Sequence, residues 1–483
     1  MAVQHDLTTT VLQGGYCVGC GACASLADSP FRMRFGELGT YLPLLNVATP
    51  TPAQQASAAA VCPFSAAATD ETTIARDLFA KLAAWHGEIG FHRETYVGHV
   101  AEGEFRGRGS SGGMASWLAS ELLATGAVDG VVHVTPCHEP GSDRNLLFRY
   151  SISRSLDDVR AGAGSRYYPI CLSDVLAEIR SRPHERFAFV GIPCFIKAVR
   201  LLARQDEAFG RSVAYCVGLV CGHLKSAAYA DFIGWQLDTP PNELRAIEFR
   251  EKTPGRKANH YTARISGGGE ESSRARPMTD LAGGSWALGF FRLKACEYCD
   301  DMIAETADVV VGDAWLPRFV DDHRGTNVVV VRHPDISQII AEAVAAGRLA
   351  LEPTTPDEVV ESQRSGLRYR REGLAVRLAD ARDRGDWTPP KRVRPGRAGV
   401  DRSRVAIYRQ RERLARATHA AFRAALDTGN LAIFFRRIRP LMRSHARAKQ
   451  RVGWRERIDL LLATITLRLS GPPREPPGSI PPP

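Results

Sequence analysis

The order of apolar and polar stretches along the chain predicts an α/β protein. Short apolar runs typical of buried strands alternate with segments of helical periodicity. The strand-like runs are "TYVGHVA", "DGVVHVT", "RFAFVGIPC", "RSVAYCVGLVC", "ADVVVGDAW" and "NVVVVRH". The helical segments include "SSGGMASWLASELLATGAV", "FIKAVRLLARQ" and "ISQIIAEAVAAG". This alternation favours a mainly parallel or mixed sheet core covered by helices.

Other patterns divide the chain into four parts. Around "SGGGEESS" the pattern changes to antiparallel strands, and "TTIARDLFAKLAAW" indicates a short helical linker after a cysteine-rich start. The C-terminal part is Arg-rich and helical, with a break at "DWTPPKRVRPGRAG". We therefore expect a small metal-stabilised module over residues 1–72, a core over 73–355, a helical appendage over 356–470 and a disordered Pro-rich tail over 471–483.

The charge of the chain is unevenly distributed. All 483 residues together carry +10, but from Arg368 onward there are 28 lysines and arginines and only 10 aspartates and glutamates, so the preceding part is net acidic. Three interpretations of the basic helices stay open. They can lie on an anionic membrane surface with Phe434, Phe435 and Trp454 buried in it. They can bind a polyanion, although nucleic acid is disfavoured because no base-reading motif is visible. They can instead pack on the acidic body or on a partner subunit with their arginines solvated.

The chain has eleven cysteines, and its clustered cysteines are expected to bind metal rather than form disulfides. The N-terminal "MAVQHDLTTT" lacks the basic and apolar regions of a signal peptide, and no apolar run is long enough to span a bilayer. The missing signal peptide favours a reducing compartment. We expect a cytoplasmic protein, at most peripheral at the inner membrane face.

The strongest motif is "YCVGCGACAS", followed at a distance by "VCPF". Its cysteines have the CxxCxxC spacing with a remote Cys-Pro, close to the bacterial ferredoxin arrangement, and small Gly19 and Gly21 let the backbone curl. A [4Fe–4S] cluster is therefore predicted here, with a structural zinc ion as the alternative, although zinc sites usually pair two CxxC arms. The predicted ligands are Cys17, Cys20, Cys23 and Cys62.

A second cysteine group is indicated less directly. "KACEYCDD" contains the pair Cys296 and Cys299, while Cys194 and Cys221 each follow a predicted buried strand. Open α/β sheets assemble ligand sites at the carboxyl ends of their strands, so these four thiols can meet. The alternative is that Cys194 and Cys221 are small buried hydrophobes. The other cysteines, at 137, 171 and 216, have no partner at metal-binding spacing and are expected to be incidental.

Two Gly-rich segments could hold a pyrophosphate. The first precedes a helix, where backbone N–H groups are free and glycines permit close approach, and Arg106 and Arg108 would add charge. The second offers glycines, a hydroxyl, a cation and an aromatic ring. The alternative for both is an ordinary loop. The first segment is Ser110, Ser111, Gly112 and Gly113, and the second is Gly164, Ser165, Arg166 and Tyr167.

These motifs together resemble the coenzyme F420 hydrogenase/dehydrogenase beta-subunit family. The matching stretches, in the family's order, are "SSGGMASWLASELLATGAVDGVV", "GAGSRYYP", "VGIPCFIKAVR", "VGLVCGH", the "FR-K" of residues 249–252 and "CEYCDDMIAETADVVVGDAW". With its ferredoxin-like N-terminal segment, the chain is most similar to the long members, which include 7-hydroxymethyl chlorophyll a reductase. Two positions depart from the family: Arg166 stands where lysine is common, and Asn327 stands where serine is usual. These departures bear on the substrate.

The resemblance implies an iron–sulfur flavoprotein oxidoreductase. It implies FAD against the two Gly-rich segments and a core [4Fe–4S] cluster on Cys194, Cys221, Cys296 and Cys299, besides the N-terminal cluster. Such a protein converts between hydride and single-electron chemistry, with ferredoxin or a deazaflavin coenzyme as redox partner and an organic substrate. His223 is a candidate proton donor. A non-catalytic electron-relay subunit and a zinc-stabilised polyanion-binding protein are the competing hypotheses.

Overall fold

In the computed structural model of the chain, the described residues are 6–37, 39–137, 146–267 and 270–469, and for 270–272 and 451–469 only the backbone is described. The predicted Pro-rich tail and the side chain of Trp454 lie outside this description.

The N-terminal residues form a small module around the cysteine motif. A short π-helical turn, Thr8–Leu12, and a 3₁₀ turn, Ala22–Ser25, flank the CxxCxxC segment. An antiparallel hairpin follows, made of β1 (Phe31–Phe35) and β2 (Tyr41–Leu45), and then helix α1 (Pro52–Ala60). Helix α1 begins with a capping box of Thr51 and Gln54, which fixes where the chain turns toward Cys62.

The linker and a small hairpin join this module to the core. Helix α2 (Glu71–Phe79) is capped by Asp70, whose carboxylate accepts a hydrogen bond from Thr73 N at 3.0 Å. Strands β3 (Ala84–His86) and β4 (Gly90–His92) then pair antiparallel. The predicted helical linker is thus present.

The core is an eight-stranded mixed sheet, as predicted. Eleven strands follow β4 in the described part of the chain; β10, β11 and β12 form a smaller sheet, and the other eight form the large one. They are β5 (Glu94–Val100), β6 (Gly130–Pro136), β7 (Phe148–Ser153), β8 (Phe187–Gly191), β9 (Val213–Leu219), β10 (Leu244–Glu251), β11 (Thr262–Gly267), β12 (Glu270–Pro277), β13 (Val309–Asp313), β14 (Asn327–Val331) and β15 (Leu349–Pro353). The large sheet has the order β15-β5-β14-β13-β9-β8-β6-β7. The four strands β13, β9, β8 and β6 are parallel, and antiparallel strands extend both sides. The parallel centre matters for the site because its strands end at one edge.

Helices cover both faces of this sheet, so its central strands are apolar throughout. All five residues of β14 are buried, which explains its unbroken valine run. The helices up to this point are α3 (Phe105–Arg108), α4 (Met114–Ala124), α5 (Leu156–Ala161), α6 (Ser173–Arg180), α7 (Pro193–Gln205), α8 (Glu207–Ser212), α9 (Ala228–Trp235), α10 (Lys294–Glu297), α11 (Pro317–Val320) and α12 (Pro334–Ala345). Trp117 of α4 and Ile340 of α12 share one hydrophobic cluster, whereas Phe195 of α7 belongs to another.

The predicted antiparallel segment forms a separate three-stranded sheet in the order β10-β11-β12. It lies after α9 in the chain, and Phe249 on β10 packs on Tyr167 with ring centroids 5.3 Å apart. This sheet therefore lies against the second Gly-rich segment.

Four helices follow the core: α13 (Pro356–Arg370), α14 (Glu372–Arg384), α15 (Arg402–Thr428) and α16 (Leu431–Leu469). A tight turn at Gly429, with φ +61°, joins the last two. Phe434 on α16 is fully buried, and its ring lies 4.4 Å from that of Phe232. These helices therefore pack on the body of the protein, and the buried Phe434 cannot insert into a lipid surface. The expectation of solvated arginines is wrong for Arg370 and Arg377, which are 3% and 0% exposed. No helix among the described residues is both long and apolar enough to cross a membrane.

We expect Phe434→Ala to lower the free energy of unfolding by about 3–5 kcal/mol, because it empties a ring-lined site in the core. Phe434 also contacts Phe290 and Phe291, each at 5.9 Å between ring centroids. Urea unfolding followed by circular dichroism measures the change. Leu426→Ala on α15, at a side chain 40% exposed, is the control and should change it by less than about 0.5 kcal/mol. Equal stability of the two variants would show that α16 is only loosely attached.

Candidate functional site

The four N-terminal cysteines come together, and we call them the outer set: Cys17, Cys20, Cys23 and Cys62. They line one small cavity together with apolar side chains such as Val11 and Phe64. The loop curls because Gly19 and Gly21 adopt left-handed backbone conformations, with φ of +73° and +86°. All eleven cysteines of the chain are free.

Burial makes thiolates unfavourable in the outer set when no cation is present. It raises the pKa of Cys17 to about 12, and the neighbouring Cys62 adds to this rise. The pKa of Cys20 is raised well above its ordinary value by the same two causes. Deprotonating all four sulfurs therefore requires a positively charged partner such as a metal centre.

The second predicted group of four cysteines also comes together, and we call it the inner set: Cys194, Cys221, Cys296 and Cys299. Cys194 is the second residue of α7, shortly after β8, and Cys221 follows β9, so two parallel strands place their cysteines at one edge of the sheet. Helix α10 carries Cys296, whose sulfur accepts a hydrogen bond from Leu224 N at 3.2 Å. Burial raises the pKa of Cys194, and Cys221, Cys299 and Cys296 raise it further.

The two sets are neighbours. Cys20 of the outer set contributes to the raised pKa of Cys194, after burial and the inner cysteines. Tyr150 lies beside both sulfurs, and its hydroxyl donates to Val190 O at 3.3 Å. Within the described residues, no three or more histidine, cysteine, aspartate or glutamate side chains are arranged to hold a single metal ion.

Cys171 adjoins the outer set, which the sequence spacing did not indicate. A Cβ atom built on Gly21 would lie 2.5 Å from its sulfur, and its pKa is raised to about 11 by burial. The backbone of this segment is docked on the cysteine loop, since Leu172 N donates to Cys20 O at 2.9 Å. Cys216 is buried in the sheet and Cys137 lines a separate cavity. Neither Cys216 nor Cys137 belongs to the outer or the inner set.

The two Gly-rich segments also contact each other. Ser165 N donates to Ser110 Oγ at 2.7 Å, and Ser111 Oγ donates to Thr326 O at 2.8 Å. Gly113 has φ +88° and is the N-cap of α4, where a glycine offers no side-chain cap of its own. Asn327 Oδ1 accepts a hydrogen bond from Met114 N, so an anion would bind the remaining free amides of the first turn. Lys252 Nζ donates to Ser111 O at 2.7 Å, and burial followed by Arg106 lowers its pKa to about 8.

The two predicted arginines beside the first segment are already paired. Arg106 forms an ion pair with Asp322 at 2.9 Å, and Arg108 forms one with Glu104 at 2.7 Å. Their charge is therefore partly neutralised. Asn327, one of the two positions that depart from the family, supports the segment instead, because its Oδ1 accepts from Met114 N at 3.2 Å.

The second segment borders a cavity of about 350 Å³. Arg166 lines it, paired with Glu248 at 2.6 Å, and the buried Nε of Arg166 has no hydrogen-bond partner among the described residues. Phe148, Arg245 and Arg264 are further lining residues. The cavity therefore combines an aromatic wall with guanidinium groups next to the Gly-rich segment.

An aromatic path joins the second segment to the inner set. The ring of Tyr167 lies 4.4 Å from that of Trp286, which stacks on His223 at 4.2 Å. Lys225 lies over the Trp286 ring at 4.4 Å and donates to Phe290 O at 2.7 Å. Neither Trp286 nor Lys225 carries a sequence signal, because their roles depend on packing between distant segments.

His223 is buried, and its Nε2 has no hydrogen-bond partner in the described part of the chain. Burial, and after it the charge of Lys225, lowers its pKa well below the ordinary value. The imidazole is therefore neutral at physiological pH. Its stacking on Trp286 gives it a packing role, and its role as a proton donor stays a prediction.

Comparisons with known proteins agree with the motifs. Residues 95–177 match the family model for the N-terminal part of the coenzyme F420 hydrogenase/dehydrogenase beta subunit, and residues 184–357 match the model for the C terminus of that same protein. A curated relative, coenzyme F420 hydrogenase subunit beta of Methanothermobacter thermautotrophicus, is 22% identical over 271 residues, which are 55% of this chain and 86% of the relative.

Among solved structures, a chain of the F420-reducing [NiFe] hydrogenase complex from Methanosarcina barkeri is similar to this one. The match is 18% identical, has a TM-score of 0.46, and covers 65% of this chain and 100% of that chain. The two family models together match more than half of the 483 residues. The chain belongs to the coenzyme F420 hydrogenase/dehydrogenase beta-subunit family, a family of oxidoreductases.

Proposed function

We propose that the chain is an iron–sulfur flavoprotein oxidoreductase that passes electrons between two [4Fe–4S] clusters and FAD and exchanges hydride with an organic substrate or a deazaflavin coenzyme. One observation carries this proposal. Eight cysteines that are spread from Cys17 to Cys299 gather into two adjacent sets of four.

The residues of both sets fit iron–sulfur clusters. Each set offers four free thiols in an apolar surrounding, and thiolate is the ligand that such clusters use. Cys17, Cys20, Cys23 and Cys62 would hold one cluster, and Cys194, Cys221, Cys296 and Cys299 the other. Backbone N–H groups already point at sulfur in both sets, from Gly19 to Cys17 at 3.3 Å and from Leu224 to Cys296 at 3.2 Å. Such hydrogen bonds stabilise anionic sulfur.

The two Gly-rich segments fit a dinucleotide such as FAD. Ser110, Ser111, Gly112 and Gly113 would hold its pyrophosphate with backbone amides at the start of α4. Gly164, Ser165, Arg166 and Tyr167 would border the ring, where Arg166 Nε is buried without a partner among the described residues. A bound flavin would supply exchange between two-electron and one-electron chemistry.

The chain's own residues would orient the reaction. Tyr167, Trp286 and His223 form a continuous path of rings from the second segment toward Cys221, and His223 at the end of this path is buried. The cavity beside Arg166 and Phe148 gives an organic substrate room next to the same segment. This cavity supports a catalytic chain with its own substrate site.

A second candidate is a non-catalytic electron-relay subunit of a larger redox complex. The name of the curated relative favours it, because that protein is a subunit of coenzyme F420 hydrogenase. In that case a partner subunit, ferredoxin or a deazaflavin would only exchange electrons with this chain. The cavity next to the second segment is the observation that favours the first candidate.

We expect the full chain, purified anaerobically, to be brown and to contain FAD together with iron and acid-labile sulfide in the proportion of two [4Fe–4S] clusters per chain. Iron, sulfide and flavin assays measure this. A colourless protein that carries zinc would contradict the proposal and favour the zinc-stabilised binding protein.

The same preparation separates the two candidates. We expect the isolated chain to oxidise a reduced deazaflavin, or to reduce a small organic acceptor when reduced methyl viologen is the donor. Heat-denatured protein and free FAD are the controls. A chain that contains all cofactors but turns over neither compound, and only equilibrates electrons with ferredoxin, is a relay subunit.

A further inference from the structure

The segment between α14 and α15 contacts residues that adjoin both cysteine sets. Tyr16, next to Cys17, donates its hydroxyl proton to Trp387 O at 2.9 Å, and the two rings are 5.4 Å apart. Lys391 lies 4.9 Å from the ring of Phe64, two residues after Cys62, and donates to Asp300 at 3.4 Å. Its side chain is only 4% exposed. The composition of this stretch indicates a solvated break in the helices. It nevertheless contains a buried cation, Lys391, next to residues that adjoin both sets.

The end of α13 brings a second buried cation to the inner set. Arg370 Nη2 donates to Cys221 O and to Gly222 O, both at 2.8 Å, and Nη1 donates to Cys299 O at 3.4 Å. No carboxylate forms an ion pair with Arg370 among the described residues. A buried guanidinium bound only by carbonyl groups is costly unless negative charge lies nearby.

The cysteines are that negative charge when they ligate iron. Arg370 is hydrogen-bonded to the carbonyl groups of Cys221 and Cys299, so it lies beside two residues of the inner set. Lys391 is hydrogen-bonded to Asp300, which follows Cys299, and it lies over the ring of Phe64, two residues after Cys62. One lysine therefore lies beside the cysteine loops of both sets.

We propose that the C-terminal extension, which follows the last residue matched by the family models, is part of the redox site: Lys391 holds positive charge against both cysteine sets, Arg370 holds it against the inner set, and together they raise the reduction potentials of the clusters. This inference rests on the proposed function. Lys391 and Arg370 are positioning residues, since each acts through the cysteine loops.

The physical reason is electrostatic. Reduction of a [4Fe–4S] cluster adds one electron, with no bond formed or broken and no proton required, so the cluster becomes more negative by one charge. A fixed cation in a buried site stabilises the reduced form more than the oxidised one. Removing the cation must therefore shift the potential to more negative values.

The test is an anaerobic potentiometric titration followed by electron paramagnetic resonance, on full-length variants with measured iron and sulfide content. We expect Lys391→Met to shift both clusters to more negative potentials and Arg370→Gln to shift only one of them. Lys391→Arg keeps the charge and should stay close to the wild type. Lys257→Met is the control, because it removes a lysine whose side chain is 56% exposed and which pairs with Asp321.

The outcomes separate this inference from the function on which it rests. Wild-type protein without iron and sulfide overturns the proposed function. Wild-type protein with both clusters, and a Lys391→Met variant with full iron content but unchanged potentials, overturns only the inference. A Lys391→Arg variant that shifts as far as Lys391→Met also overturns it. If Lys391→Met loses iron, the Arg370→Gln variant decides. A shift of one cluster to a more negative potential in Arg370→Gln supports the inference. Unchanged potentials in Arg370→Gln, or loss of iron from this variant as well, overturn it.

Discussion

Replacing Cys299 with serine is expected to remove one of the two proposed clusters and to weaken flavin binding, whereas Cys20→Ser removes the other cluster and leaves the flavin bound. Each variant should lose about half of its iron and sulfide, because a hydroxyl replaces one of four thiolate ligands. Cys299 belongs to the inner set, which the rings of His223 and Trp286 join to Tyr167. Cys20 belongs to the outer set and has no such connection to the Gly-rich segments in the described contacts.

Iron, sulfide and FAD assays on anaerobically purified protein measure these losses, and the remaining cluster can be identified by its electron paramagnetic resonance spectrum. Cys216→Ser is the matched control, since this thiol is fully buried in the sheet but belongs to neither set. It should keep all cofactors. Full iron content in Cys299→Ser, or the same spectrum remaining in both variants, would contradict the division into two sets.

The parts of the site that the sequence predicted are those encoded by local spacing. Cys17, Cys20 and Cys23 lie three residues apart, so one tight loop brings them together, and glycines between them mark its curvature. For the inner set, the apolar strand patterns before Cys194 and Cys221 only indicated that these cysteines could meet, and the resemblance to the family implied the full set of four. Parallel strands then place both at one edge of the sheet. In the same way, the valine runs of β13 and β14 identified buried strands before their order in the sheet was known.

The parts that the sequence did not predict depend on tertiary packing. Nothing near "PPKRV" distinguishes Lys391 from the arginines of the same Arg-rich stretch, yet its side chain is only 4% exposed and contacts Phe64 and Asp300. Arg370 likewise ends an Arg-rich helix and contacts Cys221 O across 149 positions of sequence. A count of basic residues does not distinguish buried from exposed ones, so it favours the interpretation that all of them lie on a solvated surface. A buried cation becomes recognisable only when its anionic or carbonyl partners are seen.

Gly112→Ala is expected to weaken FAD binding by ~100-fold or more, which corresponds to about 3 kcal/mol. A Cβ atom at this position would lie 2.6 Å from Asn327 Oδ1 and 2.9 Å from both Asn327 N and Gly98 O. Two of these three atoms are backbone atoms of central strands, which cannot move away cheaply. The segment must shift instead, and Gly112 O would then lose its hydrogen bond from Val100 N, which is 2.9 Å long.

Gly107→Ala is the matched control, because a Cβ atom there meets nothing within 4 Å although the residue belongs to the neighbouring helix α3. The flavin absorbance of the purified variants and the calorimetric titration of FAD into flavin-depleted protein measure the effect, and iron content shows that the fold persists. Since the two cysteine sets lie on other loops, Gly112→Ala should keep its iron while it loses flavin. A variant that binds FAD like the wild type would place the pyrophosphate away from the start of α4, and one that loses iron and flavin together would show that the two sites fold as a single unit.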